Sequence, residues 1–173
     1  MSVKVVRKAY DVTRELEGIP ANIEPNSFAI TLYLVRMGVL IGQLMDRIAR
    51  RFDISGADSR LMSAISASRS ASSLRPSELG VRLGLSRATI TYRMDRLITK
   101  GLAERSTDES DGRALHIHLT SRGQEVIDAI MTEINLICIE RLGSIDHLPG
   151  GREAMKEFLD TLVDVWEEAE WRP

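Results

Sequence analysis

Apolar positions in this chain fall mainly into helical stripes, interrupted once by a short stretch that alternates. After a polar start, Pro20 and Pro25 punctuate the chain, and Asn26 or Ser27 is placed to cap a long helix running to about Arg51. The first half of this helix is apolar nearly all round, so it needs cover on several sides, and in a short chain a second subunit is the natural source. Residues 55–57 break the chain before a shorter helix with Leu61, Met62 and Ile65 on one side. The serine-rich run at 66–73 reads as a loop.

Residues 76–83 open with proline and carry Glu78 in the first turn, and Leu79, Gly80 and Leu83 share one face, which predicts a short helix. Gly84 ends it, and Ser86 is placed to cap the next helix, so the two are joined by a tight turn. A residue as small as Gly80 lets the second helix cross closely. That second helix, 87–100, buries Ile90, Met94, Leu97 and Ile98 in one stripe. Opposite lie Ala88, Thr89, Tyr92 and Arg96, flanked by Arg93. Lys100, Gly101 and Leu102 make a favourable helix end.

The alternating stretch follows. Residues 102–106 and 113–119 flank a polar turn, and in the second run Leu115, Ile117 and Leu119 face one way while Ala114, His116 and His118 face the other, which predicts a β-hairpin. Thr120 or Ser121 caps a further helix, Ser121 with Gln124 in capping-box register, carrying Val126, Ile127, Ile130, Ile134, Ile137 and Cys138 at helical spacing. Beyond Pro149 a last helix shows Met155, Phe158, Leu159, Leu162 and Trp166. The expected fold class is mainly α (α+β). A winged helix-turn-helix lobe with a two-stranded wing occupies 58–123, an N-terminal extension 1–25, and a helical dimerisation region 26–57 and 124–173.

Two helices, a tight turn and a hairpin suit duplex DNA: a helix fits the major groove, its N-terminal N–H groups meet phosphate, and a basic hairpin reaches the minor groove. The net charge of −2 does not suggest nucleic acid until the chain is divided. Residues 1–57 carry +2, residues 58–123 carry +4 and residues 124–173 carry −8. A basic middle can meet phosphate while an acidic tail stays off it. The 5% aromatic share argues against an aromatic-lined single-strand binder. The single cysteine, Cys138, excludes a disulfide framework and multi-cysteine metal sites, which fits a reducing cytoplasm. The start of the chain does not read as a signal peptide. Residues 28–45 are apolar but hold Arg36 near their middle, so burial between subunits is expected rather than a membrane span.

The run at 74–123 resembles the DNA-binding lobe of the MarR family of bacterial regulators. The resemblance rests on SEL at 77–79, LGLSRATI at 83–90, DRL at 95–97, KGL at 100–102, DGR at 111–113 and LTSRG at 119–123. By element order it extends over roughly residues 26–170. It implies a homodimer, paired through the first and last helices, that binds a pseudo-palindromic operator on double-stranded DNA. It further implies a repressor released by a small phenolic or other anionic effector. Ser86, Arg87, Thr89 and Arg93 resemble the family's phosphate and base contacts, Arg113 its wing-tip arginine and Asp111 the partner of that arginine. Ala88, Thr91 and Arg96 complete the expected DNA-facing set, and Tyr92, where the family varies, is the candidate for choosing sequence. The chain departs from the family in its long N-terminal extension and in Arg75, where a capping Ser or Thr is expected.

Tyr33, Arg36 and Arg47 are candidates for lining an effector crevice, with structural pairing at a dimer seam about as well supported. Cys138, in an apolar stripe, reads as packing rather than a redox switch. His116 and His118 read as exposed wing residues rather than metal ligands, and neither metal nor cofactor is expected. The sequence offers no unassigned set of nucleophile, base and orienting group, so an enzyme is not expected. The alternative is a winged-helix module that docks another protein and binds no DNA, against which the order of Arg87, Arg93, Arg96 and Arg113 speaks.

Overall fold

Helix starts show how local chemistry sets the boundaries in this computed structural model, which describes residues 12–67, 76–107 and 115–168. Helix α1 (Val12–Leu16) is followed by α2 (Pro25–Arg50), whose N-cap is Glu24. The Glu24 carboxylate accepts the backbone N–H groups of Asn26 at 3.0 Å and Ser27 at 2.6 Å. The expected caps Asn26 and Ser27 are therefore first-turn donors. Pro25 explains the shift: its fixed φ and missing N–H suit the first helical position, so the helix begins there.

Helices α3 (Gly56–Ala67), α4 (Pro76–Leu83) and α5 (Arg87–Thr99) come next, then strands β1 (Ala103–Thr107) and β2 (Leu115–Leu119). The strands pair antiparallel with Ala103 opposite Leu119 and Thr107 opposite Leu115. Helix α6 (Ser121–Leu142), a short 3-10 turn (Gly143–Ile145) and α7 (Gly151–Glu168) complete the order. Mostly helical with a two-stranded wing, this is the winged helix-turn-helix architecture that the sequence predicts.

Thr120 caps α6, its Oγ1 accepting from the Gly123 N–H at 3.0 Å. The capping box does not form, because Thr120 rather than Ser121 is the cap, which puts Gly123 and not Gln124 at the third helical position, and the Thr120 N–H donates to Leu102 O at 3.2 Å. Gly123 is itself required: a Cβ there would stand 1.9 Å from the Leu102 carbonyl oxygen.

The chain divides into two compact units, residues 1–56 and 57–173. In the second, Leu61 and Met62 of α3, Leu79 of α4, Ile90, Met94 and Leu97 of α5, and Ile127 and Ile130 of α6 are fully buried. In the first, α1 lies against α2, and Val12, Ile48, Ala49 and Ile54 are buried. The middle of α2 is different. Tyr33, Val35, Met37, Val39 and Ile41 are all exposed, and the helix is long and apolar enough to cross a membrane by length and composition. The second unit also leaves apolar residues uncovered, including Leu136 and Ile139 on α6 and Phe158, Val163 and Trp166 on α7.

Candidate nucleic-acid interface

The turn between α4 and α5 is built by Gly84, which sits at φ +61°. Its N–H donates to Val81 O at 3.2 Å, and the Leu85 N–H donates to Gly80 O at 2.9 Å, so two of the last carbonyls of α4 are satisfied while the chain reverses. A Cβ on Gly80 would lie 3.0 Å from Leu85 O, which accounts for a small residue at this crossing. Ser86 then starts α5, its Oγ accepting the Thr89 N–H at 3.2 Å. Ile90, Met94 and Leu97 hold the inner face of α5 in the core, and the opposite side of its first two turns is left outward.

Of the predicted contact residues on α5, Ser86, Arg87, Ala88, Thr91 and Tyr92 are exposed. Tyr92 stands furthest out among the large apolar side chains of α5, at 64%. Thr89 is half-buried, and its hydroxyl shares a 2.9 Å hydrogen bond with Ser86 Oγ. The two later arginines differ more from the helical-wheel expectation. Arg93 Nη1 donates to Ala57 O at 3.3 Å, and Arg96 Nη2 lies 3.2 Å from Asp58 Oδ2, so both reach back to the first turn of α3. A helical wheel gives the angle at which a side chain leaves the helix; it does not show where a long arginine ends. The outward arc is thus narrower than the sequence suggests, and two of its cations hold the lobe together.

Asp58 itself was not singled out in the sequence. It is buried at 1%, and its partner lies far along the chain, so only the general rule that buried charges are paired could have pointed to it.

The base of the wing is fixed from three sides. Gly101, at φ +67°, ends α5 with its N–H on Ile98 O and the Leu102 N–H on Leu97 O. Arg105 of β1 pairs with Asp95 of α5 at 2.6 Å, and Thr120 Oγ1 donates to Gly101 O at 2.8 Å. His118 is exposed and shares a 2.9 Å hydrogen bond with Ser106 across the strands. His116 corrects the expectation of two exposed histidines: it is only 9% exposed. Strand alternation sets only the two faces, and here packing covers both Ile117 and its neighbour His116. The expected wing residues Asp111 and Arg113 lie outside the described residues, as does Arg75.

Tyr33, Arg36 and Arg47 fall within one narrow arc of α2, spread over about 21 Å of helix axis. Tyr33 and Arg47 are exposed and Arg36 is half-buried. Cys138 is half-buried. Among the described residues, no group of three or more His, Cys, Asp and Glu side chains is placed to hold a metal ion.

Comparison with known proteins agrees with this architecture. The model of the MarR family matches residues 52–114, which span α3 to the start of the wing. The chain is 22% identical over 123 residues to the HTH-type transcriptional regulator PecS of Dickeya dadantii, covering 71% of this chain and 74% of that one. It is 39% identical over 59 residues to the transcriptional repressor MprA of Escherichia coli, 34% of each chain. Among solved structures it is similar to the S. aureus MepR–DNA complex, with a TM-score of 0.66 at 21% identity, covering 78% of this chain and 94% of that one. Residues 52–114 thus match the MarR family, and the mostly helical fold with its two-stranded wing is shared with that solved structure.

Proposed function

We propose that this chain regulates transcription by binding double-stranded DNA as a homodimer, repressing from a pseudo-palindromic operator and leaving it when a small anionic effector binds. The observation that carries the reading is the start of α5. A capped helix end is held outward by a buried inner face, and it presents Arg87, Ala88, Thr91 and Tyr92 together. Arg87 and the first-turn N–H groups suit phosphate, and Ala88, Thr91 and Tyr92 suit base edges in a major groove. Arg113 of the wing would enter the neighbouring minor groove, with Asp111 steadying it. That MepR has been solved with DNA supports the assignment.

The homodimer is supported by the apolar surface that each unit leaves uncovered, on α2 and on α6 and α7. A membrane would cover α2 alone and place Arg36 within the hydrocarbon layer, while leaving Phe158 and Trp166 in water. A second copy covers all three helices. Tyr33, Arg36 and Arg47 would then line the effector crevice, phenol-stacking and carboxylate-binding groups on one arc. The regulator works in the cytoplasm and catalyses nothing.

The test is an electrophoretic shift on duplex fragments, including the region upstream of the protein's own gene, at two salt concentrations, followed by a footprint. A symmetric footprint and affinity that falls steeply with salt are expected. Absence of any shift at low salt overturns the reading in favour of a protein-docking module.

A further inference from the structure

The link from α3 to the outward face of α5 runs through one buried carboxylate. Asp58 is 1% exposed in the first turn of α3, and its Oδ2 holds Arg96 Nη2 at 3.2 Å. The Arg96 guanidinium carbon in turn lies 5.8 Å from the centre of the Tyr92 ring, within the range of a cation–π contact. Arg93 donates to the carbonyl of the adjacent Ala57 at 3.3 Å, so two successive residues of α3 anchor the same side of α5. Tyr92, 64% exposed, is the end of this chain of contacts.

We propose that Asp58 is a positioning residue for base selection: it fixes Arg96, and the fixed guanidinium pre-sets the Tyr92 ring that reads the groove. The proposal rests on the DNA-binding reading above. An exposed tyrosine held by nothing would sample its rotamers and lose that freedom on meeting a base. A ring already leaning on a fixed cation loses less, and it does so in one geometry. The Arg96 side chain is 40% exposed while Asp58 is buried, so the pair trades the desolvation of one carboxylate against a partly screened attraction and is a poor source of net stability; its value here lies in orientation. Arg96 thereby acts beneath the reading surface, through Tyr92.

The experiment uses the full-length protein on a randomised pool of DNA duplexes, with sites selected by the wild type and then measured one base pair at a time. Asp58→Asn keeps the size, but it removes the charge and turns one of the two acceptor oxygens into an N–H donor. It is expected to lose about tenfold in discrimination at the base pairs whose preference Tyr92→Ala also changes. Affinity for the unselected pool and its salt dependence should stay within about twofold of the wild type. The double variant should discriminate no worse than Tyr92→Ala alone. Arg96→Gln, which cuts the same link from its half-exposed end, should reproduce the loss, and it carries the test if Asp58→Asn unfolds. The proposal is overturned if the losses from Asp58→Asn and Tyr92→Ala multiply, or if Asp58→Asn weakens binding to all duplexes alike. A wild type that enriches no site at all removes the DNA-binding reading, and this proposal with it.

Discussion

Leu97 and Phe158 are both large apolar residues on amphipathic helices, yet Leu97 is fully buried and Phe158 is 49% exposed. The lobe closes on itself: α3, α4, α5 and the start of α6 each contribute side chains that a single chain covers. The outer helices do not close. Helix α6 contains both behaviours, since Ile127 and Ile130 are buried in its first half while Leu136 and Ile139 are exposed further along. Helical periodicity is unbroken along it, so periodicity reports that a stripe is apolar and not what covers it. Where one chain leaves such a stripe open over several helices, the homodimer proposed above is what would cover it.

The strongest way to break the closed region is at its tightest contact. Gly123 packs the first turn of α6 against the Leu102 carbonyl, where a Cβ would stand 1.9 Å from the oxygen. The obstacle is backbone, which cannot rotate away as a side chain would. Gly123→Ala should therefore destabilise the lobe by about 3 kcal/mol, beyond most overpacking substitutions, and urea unfolding followed by circular dichroism measures it. A change under about 1 kcal/mol would mean that α6 can slide from the wing base, and that the lobe is less closed than its burial implies.

The open region should respond in the opposite way. Phe158→Asp puts a charge on the uncovered face of α7, at a residue that is 49% exposed. It should weaken self-association by roughly 2 kcal/mol per copy and leave the unfolding of the monomeric lobe in place. Analytical ultracentrifugation over a dilution series checks it. An unchanged dimer would move the interface away from α7.

How much of this was legible beforehand follows the same division. Features set by neighbours in sequence were readable: the Gly84 and Gly101 helix ends, the Ser86 cap, and the crossing at Gly80. The expected cap of α2, Asn26 or Ser27, lies two or three residues past the observed one, because Glu24 can also accept first-turn N–H groups and Pro25 decides between them. The two later arginines of α5 looked outward because their true partners, Ala57 and Asp58, are 36 or more residues away, and no local pattern joins them. The tightness at Gly123 was equally hidden, since the motif shows a glycine and only the fold brings Leu102 against it.

A smaller effect sharpens the contrast from the surface of the lobe. Arg105 and Asp95 pair at 2.6 Å, with their side chains 42% and 56% exposed. A pair so open to water is screened by salt and costs side-chain freedom to hold. Arg105→Ala should cost no more than about 0.5 kcal/mol, and less at high salt, in thermal unfolding. A loss several times larger, insensitive to salt, would make this pair part of the closed core rather than a surface tie at the wing base.

The smallest effect separates the two regions by pH. The caps of α5 and α6 in the lobe are the hydroxyls of Ser86 and Thr120, which do not titrate in the acid range. The cap of α2 is the fully exposed carboxylate of Glu24, and hydrogen bonds from Ser27, then from the Asn26 N–H, lower its pKa below the ordinary 4.5. A carboxyl whose pKa is lower in the folded chain than in the unfolded one stabilises the fold above the unfolded value. That contribution fades as pH falls through the folded value, because protonation removes the acceptor charge. Acid should therefore fray the start of α2 at a pH below 4.5, while the α5 and α6 starts keep their caps. Amide exchange at Asn26 and Ser27, followed from pH 6 down to about pH 3.5 and corrected for intrinsic rates, reads this locally. Glu24→Gln should show faster exchange at pH 6 and no further rise on acidification, whereas exchange at Thr89 and Gly123 should be the same in both proteins. If wild-type protection at Asn26 and Ser27 did not change with pH, the carboxylate would not be the group that starts α2, and Pro25 alone would set that boundary.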